Sequence, residues 1–173
     1  VKLSLRRLLL PVAAFALAAC GASGSRRGEV RLPDGVHKIA LRQIVNKSQQ
    51  ASIETTLLNT LRDEFLRDAR APLVPEAEAD GVIAVTITRY TLTPIQYDYT
   101  LAPLTYRLSI LVDVDMVQKS TGNVLWTEKG LEGAMIYPAA TMVGGSSEAA
   151  QSTEIWTILS PMIVQRVLEG RRD

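Results

Sequence analysis

Leu104–Val117 reads LTYRLSILVDVDMV, and its alternation decides the fold. Leu104, Tyr106, Leu108, Ile110, Val112, Val114 and Met116 fall on one side of an extended chain, because successive strand side chains point to opposite faces. Thr105, Arg107, Ser109, Asp113 and Asp115 fall on the other side, interrupted by Leu111 and Val117. A strand with one apolar and one wetter face belongs to an antiparallel sheet covered on a single side. The cover has to come from elsewhere in the chain.

Upstream, Ile53, Leu57, Leu61 and Phe65 recur every fourth residue, with Leu58 beside them and charged residues between. That period predicts an amphipathic helix with one buried stripe, stopped by Pro72. Downstream, Ile155, Ile158, Leu159, Met162 and Ile163 form the stripe of a second helix, with Ser147 as its cap and a kink expected at Pro161. Between and before them the pattern is extended. Val36–Val45 predicts a first strand, with Asn46-Lys47-Ser48 as a turn and possible helix cap. Alternating Ile83, Val85 and Ile87 predict a strand through about Thr93. A further strand runs from Val124 to roughly Tyr137, after a Ser120–Asn123 turn. Ala139–Ser146, with Gly144-Gly145, reads as a mobile loop. The sum is an α+β two-layer sandwich, βαβββα, with two helices on a mostly antiparallel four-stranded sheet.

Composition bears on chemistry. The 173 residues are 47% hydrophobic, enough apolar material for a folded core. One cysteine, Cys20, excludes an internal disulfide framework and any multi-cysteine metal site. His37, the sole histidine, leaves one imidazole for acid–base work, and it sits in an expected strand. No serine lies in a GxSxG elbow, so a periplasmic hydrolase would have to rest on His37 alone. The expectation is no catalytic residues, no metal site, no cofactor and no enzyme. Asp113 and Asp115 share a strand face and could hold a cation together. The plainer reading is a solvated pair offset by Arg or Lys on a neighbouring strand. Gly144-Gly145 lacks the lysine and spacing of a phosphate loop, and a formal charge of +1 provides no basic field for nucleic acid.

The N-terminal residues read as an address. Lys2, Arg6 and Arg7 precede an uncharged run from Leu8 to Ala19, too short to span a bilayer as a helix. Leu17-Ala18-Ala19-Cys20 has the form of a bacterial lipobox, so residues 1–19 are expected to be a signal peptide. Cys20 would then carry a covalent lipid of the palmitate class, and its acyl chains would hold the protein at a membrane. Gly21, where an inner-membrane retention signal would have Asp, favours the outer membrane. Residues 20–31, rich in Gly, Ser and Arg, are expected to form a tether whose Arg26, Arg27 and Arg31 could touch anionic headgroups, a solvated linker being the plainer reading; 32–173 are expected to form a single domain. All three basic residues of 1–19 leave with the signal, so the remainder is slightly acidic.

Two surface features suit recognition. Tyr97 and Tyr99, in the Thr93–Pro103 connection, combine apolar area with a polar tip and are candidates for a partner interface, or equally for an ordinary hairpin loop that packs its own aromatics. Arg89, Arg107 and Lys129 are strand cations that could meet phosphates on an open face. Pairing across strands with Asp113, Asp115 or Glu128 is the plainer reading of each.

The order of these features resembles the LPS-assembly lipoprotein family LptE. The resemblance runs from Cys20-Gly21 through Leu32-Pro33-Asp34-Gly35-Val36, Asn46-Lys47-Ser48 and Ile53-Glu54 to Glu78-Ala79-Asp80-Gly81-Val82-Ile83. It continues through Tyr106-Arg107-Leu108 and Thr121-Gly122-Asn123-Val124-Leu125-Trp126 to Glu148-Ala149-Ala150. The resemblance implies a lipid-anchored domain on the periplasmic face of the outer membrane, acting as a plug within the LptD β-barrel and binding lipopolysaccharide. It implies Lys129, and with it Arg107, as lipopolysaccharide contacts. An accessory lipoprotein of another envelope complex, such as an ABC-transporter auxiliary subunit or a cell-wall synthase activator, stands as the alternative, since fold alone does not decide function.

Overall fold

The computed structural model describes residues 30–169. Its elements are β1 (Ile39–Leu41), β2 (Val45–Asn46), α1 (Glu54–Asp68), a short 3-10 turn (Glu76–Glu78), β3 (Gly81–Tyr97), β4 (Pro103–Gln118), β5 (Val124–Pro138) and α2 (Glu148–Glu169). The sheet order is β1-β3-β4-β5, with β2 also on β3. β3, β4 and β5 form an antiparallel meander, whereas β1 and β2 run parallel to β3. A parallel pair requires a crossover, and α1 lies on that connection.

On β4, Leu108, Ile110, Val112, Val114 and Met116 are buried, as the alternation requires. Ile83, Val85 and Ile87 stand opposite Met116, Val114 and Val112 and extend the same face. Leu57, Leu61 and Phe65 of α1 and Ile155, Trp156, Leu159 and Ile163 of α2 close it into one core. The two-layer α+β arrangement therefore stands.

Five differences from the sequence pattern have local causes. The expected first strand breaks in two, because Leu41 faces Ile83 whereas Val45 faces Thr86, leaving one extra residue between them. That bulge turns Ile44 inward and leaves Val45 half exposed. α1 ends at Asp68, short of Pro72, where Ala69 turns left-handed (φ 55°) and donates its N–H to the Phe65 carbonyl. Asn46 does not cap α1. Its Oδ1 instead accepts from the Ser48 N–H and hydroxyl, and its Nδ2 donates to the Gln50 carbonyl and Glu54.

α2 turns further than its most apolar residues suggest. Trp156, Val164, Val167 and Leu168 are buried, whereas Ile158 and Met162 lie on the exposed side. Pro161 sits on that exposed side, so the Thr157 carbonyl it leaves without a donor faces water, and the helix continues to Glu169. Ser147 does cap α2, its Oγ accepting from the Ala150 N–H at 3.3 Å. The 139–146 segment is closed by backbone hydrogen bonds from Met142 to Ala139, Gly145 to Met142 and Ser146 to Pro138. Gly145 is needed there, since a Cβ would lie 1.9 Å from the Ala139 carbonyl oxygen.

Candidate functional site

The sheet face turned away from the helices carries the strand cations. Thr93 of β3, Arg107 of β4 and Ile136 of β5 are abreast, and Arg89 is abreast of Leu111. Farther along, Lys129 and Gly130 together oppose Asp113, because Gly130 adopts φ 68° and inserts one residue between the Val112–Leu131 and Val114–Glu128 pairs. Arg107 and Lys129 thus share a face but stand about 20 Å apart along β4, six residues at roughly 3.4 Å each.

Arg107 is engaged on that face. Its guanidinium lies 3.4 Å from Glu132, whose Oε1 also accepts the Ser109 hydroxyl at 2.5 Å. The Ser109 hydroxyl, and then Arg107, hold the Glu132 carboxyl below the usual carboxylate range. The pair is half exposed on both sides, so it contributes little to stability and leaves the cation available for exchange. The side chains of Lys129 and Arg89 are exposed and have no hydrogen-bond or ion-pair partner among the described residues.

The acidic pair on β4 is satisfied without either cation. Asp113 accepts from the Gly130 N–H at 2.8 Å and Asp115 from the Thr127 hydroxyl at 2.7 Å. Glu128 cannot serve as an outer-face partner, because it alternates to the helix side opposite Val114, where its Oε2 is buried without a hydrogen bond. No group of three or more metal-ligating side chains converges among the described residues. His37 is exposed, and its backbone N–H, with that of Lys38, donates to Asp80 and lowers the Asp80 carboxyl.

β3 runs past Thr93 to Tyr97, so the expected long connection is mostly strand. Tyr97 ends β3, half exposed; Tyr99 lies in the turn, fully exposed. A cleft of about 470 Å³ opens where the N-terminal ends of α1 and α2 approach Tyr90. The Tyr90 hydroxyl donates to Glu148 at 2.9 Å, and burial, with that carboxylate, pushes the phenol's pKa well up. Cys20, the 1–19 segment, Arg26 and Arg27 lie outside the described residues. Arg31 is described, and its backbone N–H donates to the Leu168 carbonyl at 2.6 Å, so residue 31 lies beside the C-terminal end of α2.

The family model for LptE, described as lipopolysaccharide-assembly, matches residues 36–167, from the first buried valine to the last turn of α2. This chain is a member of the LptE family. No curated protein matches it in sequence. Among solved structures it is similar to the hypothetical protein CT253 from Chlamydia trachomatis (14% identity, 75% of this chain and 94% of that one, TM-score 0.53), a likeness of fold. It is also similar to a minor lipoprotein from Acinetobacter baumannii (15%, 76% and 91%, TM-score 0.48) and to the lipoprotein GNA1162 from Neisseria meningitidis (12%, 72% and 96%, TM-score 0.45).

LptE proteins are non-enzymatic envelope lipoproteins. On this LptE chain the two tyrosines and the cations singled out in the sequence are exposed, but their surroundings were not legible there. Glu132 as the partner of Arg107 follows only from the register of β4 on β5. Met142 and Val143, both exposed, lie in a segment read only as a loop.

Proposed function

We propose that this LptE-family chain is an outer-membrane lipoprotein on the periplasmic side, acylated at Cys20 after removal of residues 1–19. In this reading residues 20–31 are the tether and 32–173 the functional domain. It partners the LptD β-barrel as its plug and assists delivery of lipopolysaccharide to the outer leaflet. The single observation that carries the reading is the family match over residues 36–167.

The molecule acts by binding and needs no cofactor beyond its covalent lipid. Lys129, an exposed cation with no partner among the described residues, and Arg107, held by one exposed carboxylate, are the groups for acidic parts of lipopolysaccharide. Tyr97 and Tyr99 are the groups for the barrel. Depletion in living cells tests the function: surface lipopolysaccharide falls as the chain is lost, and unchanged surface lipopolysaccharide contradicts the reading. A Cys20→Ala chain is expected to lose its acyl mass and leave the outer-membrane fraction.

A further inference from the structure

The end of the sheet remote from residue 31 presents apolar side chains on two loops. Residue 31 lies beside the C-terminal end of α2, and Asp80, just before β3, binds the backbone of His37 and Lys38 nearby in the sequence. From Gly81 the 17 residues of β3 run to Tyr97, about 50 Å away at roughly 3.3 Å per residue. There, Tyr97, Tyr99 (97% exposed) and Leu101 (79%) project from the β3–β4 turn, and Met142 and Val143 (104%) from the loop between β5 and α2. The two loops are joined at their base, where the Ala139 N–H donates to the Leu104 carbonyl at 2.9 Å.

The turn is held in shape before anything binds. One oxygen of Asp98 accepts the Thr100 N–H, the Thr100 hydroxyl and the Ala102 N–H at 2.7–2.9 Å. Backbone bonds from Asp98 to Ala102 and from Leu101 to Asp98 close the loop around it. This network keeps Leu101 at φ 64°, a left-handed conformation uncommon for a bulky side chain. Displaying a leucine to water in a strained backbone conformation opposes stability, and function is the usual reason such a feature persists.

Charge selects the occupant. Neither 95–103 nor 139–147 contains a lysine or arginine, and the one charged residue, Asp98, is spent on the turn. Phosphate groups and anionic membrane surfaces are recognised through cations. The cations Arg89, Arg107 and Lys129 stand on the sheet face instead.

We infer that the two loops form one preshaped apolar knob, and that it docks in an uncharged apolar recess of the protein partner. This deepens the reading under Proposed function, on which it rests, by naming the part of the chain that the barrel holds. It also separates protein docking at the tip from acidic-ligand contact on the sheet face.

The test uses the full-length lipidated chain in living cells, with a photo-crosslinking residue in turn at Tyr99, Val143, Arg107 and Thr55 on the exposed side of α1. The inference predicts that Tyr99 and Val143 both cross-link to LptD. Asp98→Ala should reduce both yields about 3–10-fold, the cost of reordering one or two side chains, without changing the thermal midpoint. Cross-links to LptD from Arg107 or Thr55 but from neither tip position overturn the knob and leave the functional reading standing. Tip positions that label only lipid overturn it as well. No cross-link to LptD from any position overturns both.

Discussion

Gly133 of β5 and Leu159 of α2 are packed so closely that a Cβ on the glycine would lie 2.6 Å from Leu159 Cγ. It would also lie 2.6 Å from Ile155 Cγ2, so α2 rests on bare strand backbone at this point. Both neighbours are fully buried and have nowhere to retreat. Gly133→Ala is expected to destabilise the domain by about 1–3 kcal/mol through overpacking. Urea unfolding measures it, and an unchanged midpoint would contradict this packing.

Arg70 ties the C-terminal ends of the helices together. Its Nε and Nη2 fork the Asp68 carboxylate at 2.7 and 2.9 Å, and its Nη1 reaches Glu169 at 3.0 Å. All three side chains are mostly buried. The Asp68 hydrogen bond is the main reason that the guanidinium pKa is raised. Arg70→Ala should cost about 1.5–3 kcal/mol, and Arg70→Lys should recover only part of it, since an ammonium cannot reproduce the planar fork. Equal stability of the Lys variant and the parent would show that charge alone suffices.

Tyr90 makes stability depend on alkaline pH. Burial, then the hydrogen bond to Glu148, raises its folded pKa above the ordinary phenol value of 10.0. Its contribution is fully present below about pH 10 and is lost as pH rises from there through the folded pKa. Tyr90→Phe should lower stability at neutral pH by about 1 kcal/mol, the worth of one hydrogen bond, and flatten the loss of stability above about pH 10. Chemical unfolding at pH 8 and pH 10.5 checks both signs. A variant whose stability falls as steeply as the parent's would assign the alkaline loss elsewhere.

What the sequence showed and what it hid have the same cause. The alternation of Leu108 to Met116 is legible because β4 is a central strand with one covered face, and the residues inserted alongside that run belong to β3 and β5 and not to β4 itself. Where a single residue is inserted, alternation misleads. Ile44 replaces Val45 in the core across the β1–β2 break, and Gly130 turns Leu131 inward on β5. On α2, hydropathy favoured Ile158 and Met162, but the small Ser152 and Ser160 share the buried side with Trp156. The candidate site divides similarly. Residue types exposed Tyr97, Tyr99, Arg107 and Lys129, whereas the 20 Å separation of the cations follows from strand register.

Glu132 restrains Arg107, and this is testable against ligand. Glu132→Gln should tighten binding of purified lipopolysaccharide several-fold by releasing the guanidinium from its carboxylate partner. Arg107→Ala and Lys129→Ala should each weaken it, by about tenfold if a charge-assisted hydrogen bond is lost. Because the two cations stand far apart, the double variant should show additive losses. Binding that ignores all three changes would remove the sheet face from lipopolysaccharide recognition.

The central claim is partnership with the lipopolysaccharide-exporting barrel. Affinity purification of the full-length tagged chain from detergent-solubilised envelopes, with quantification of LptD in the eluate, tests it most directly. The account predicts LptD in near-equimolar amount, retained through washing at high salt because the proposed contact is apolar. An eluate free of LptD, or one holding a different envelope complex in stoichiometric amount, would contradict it.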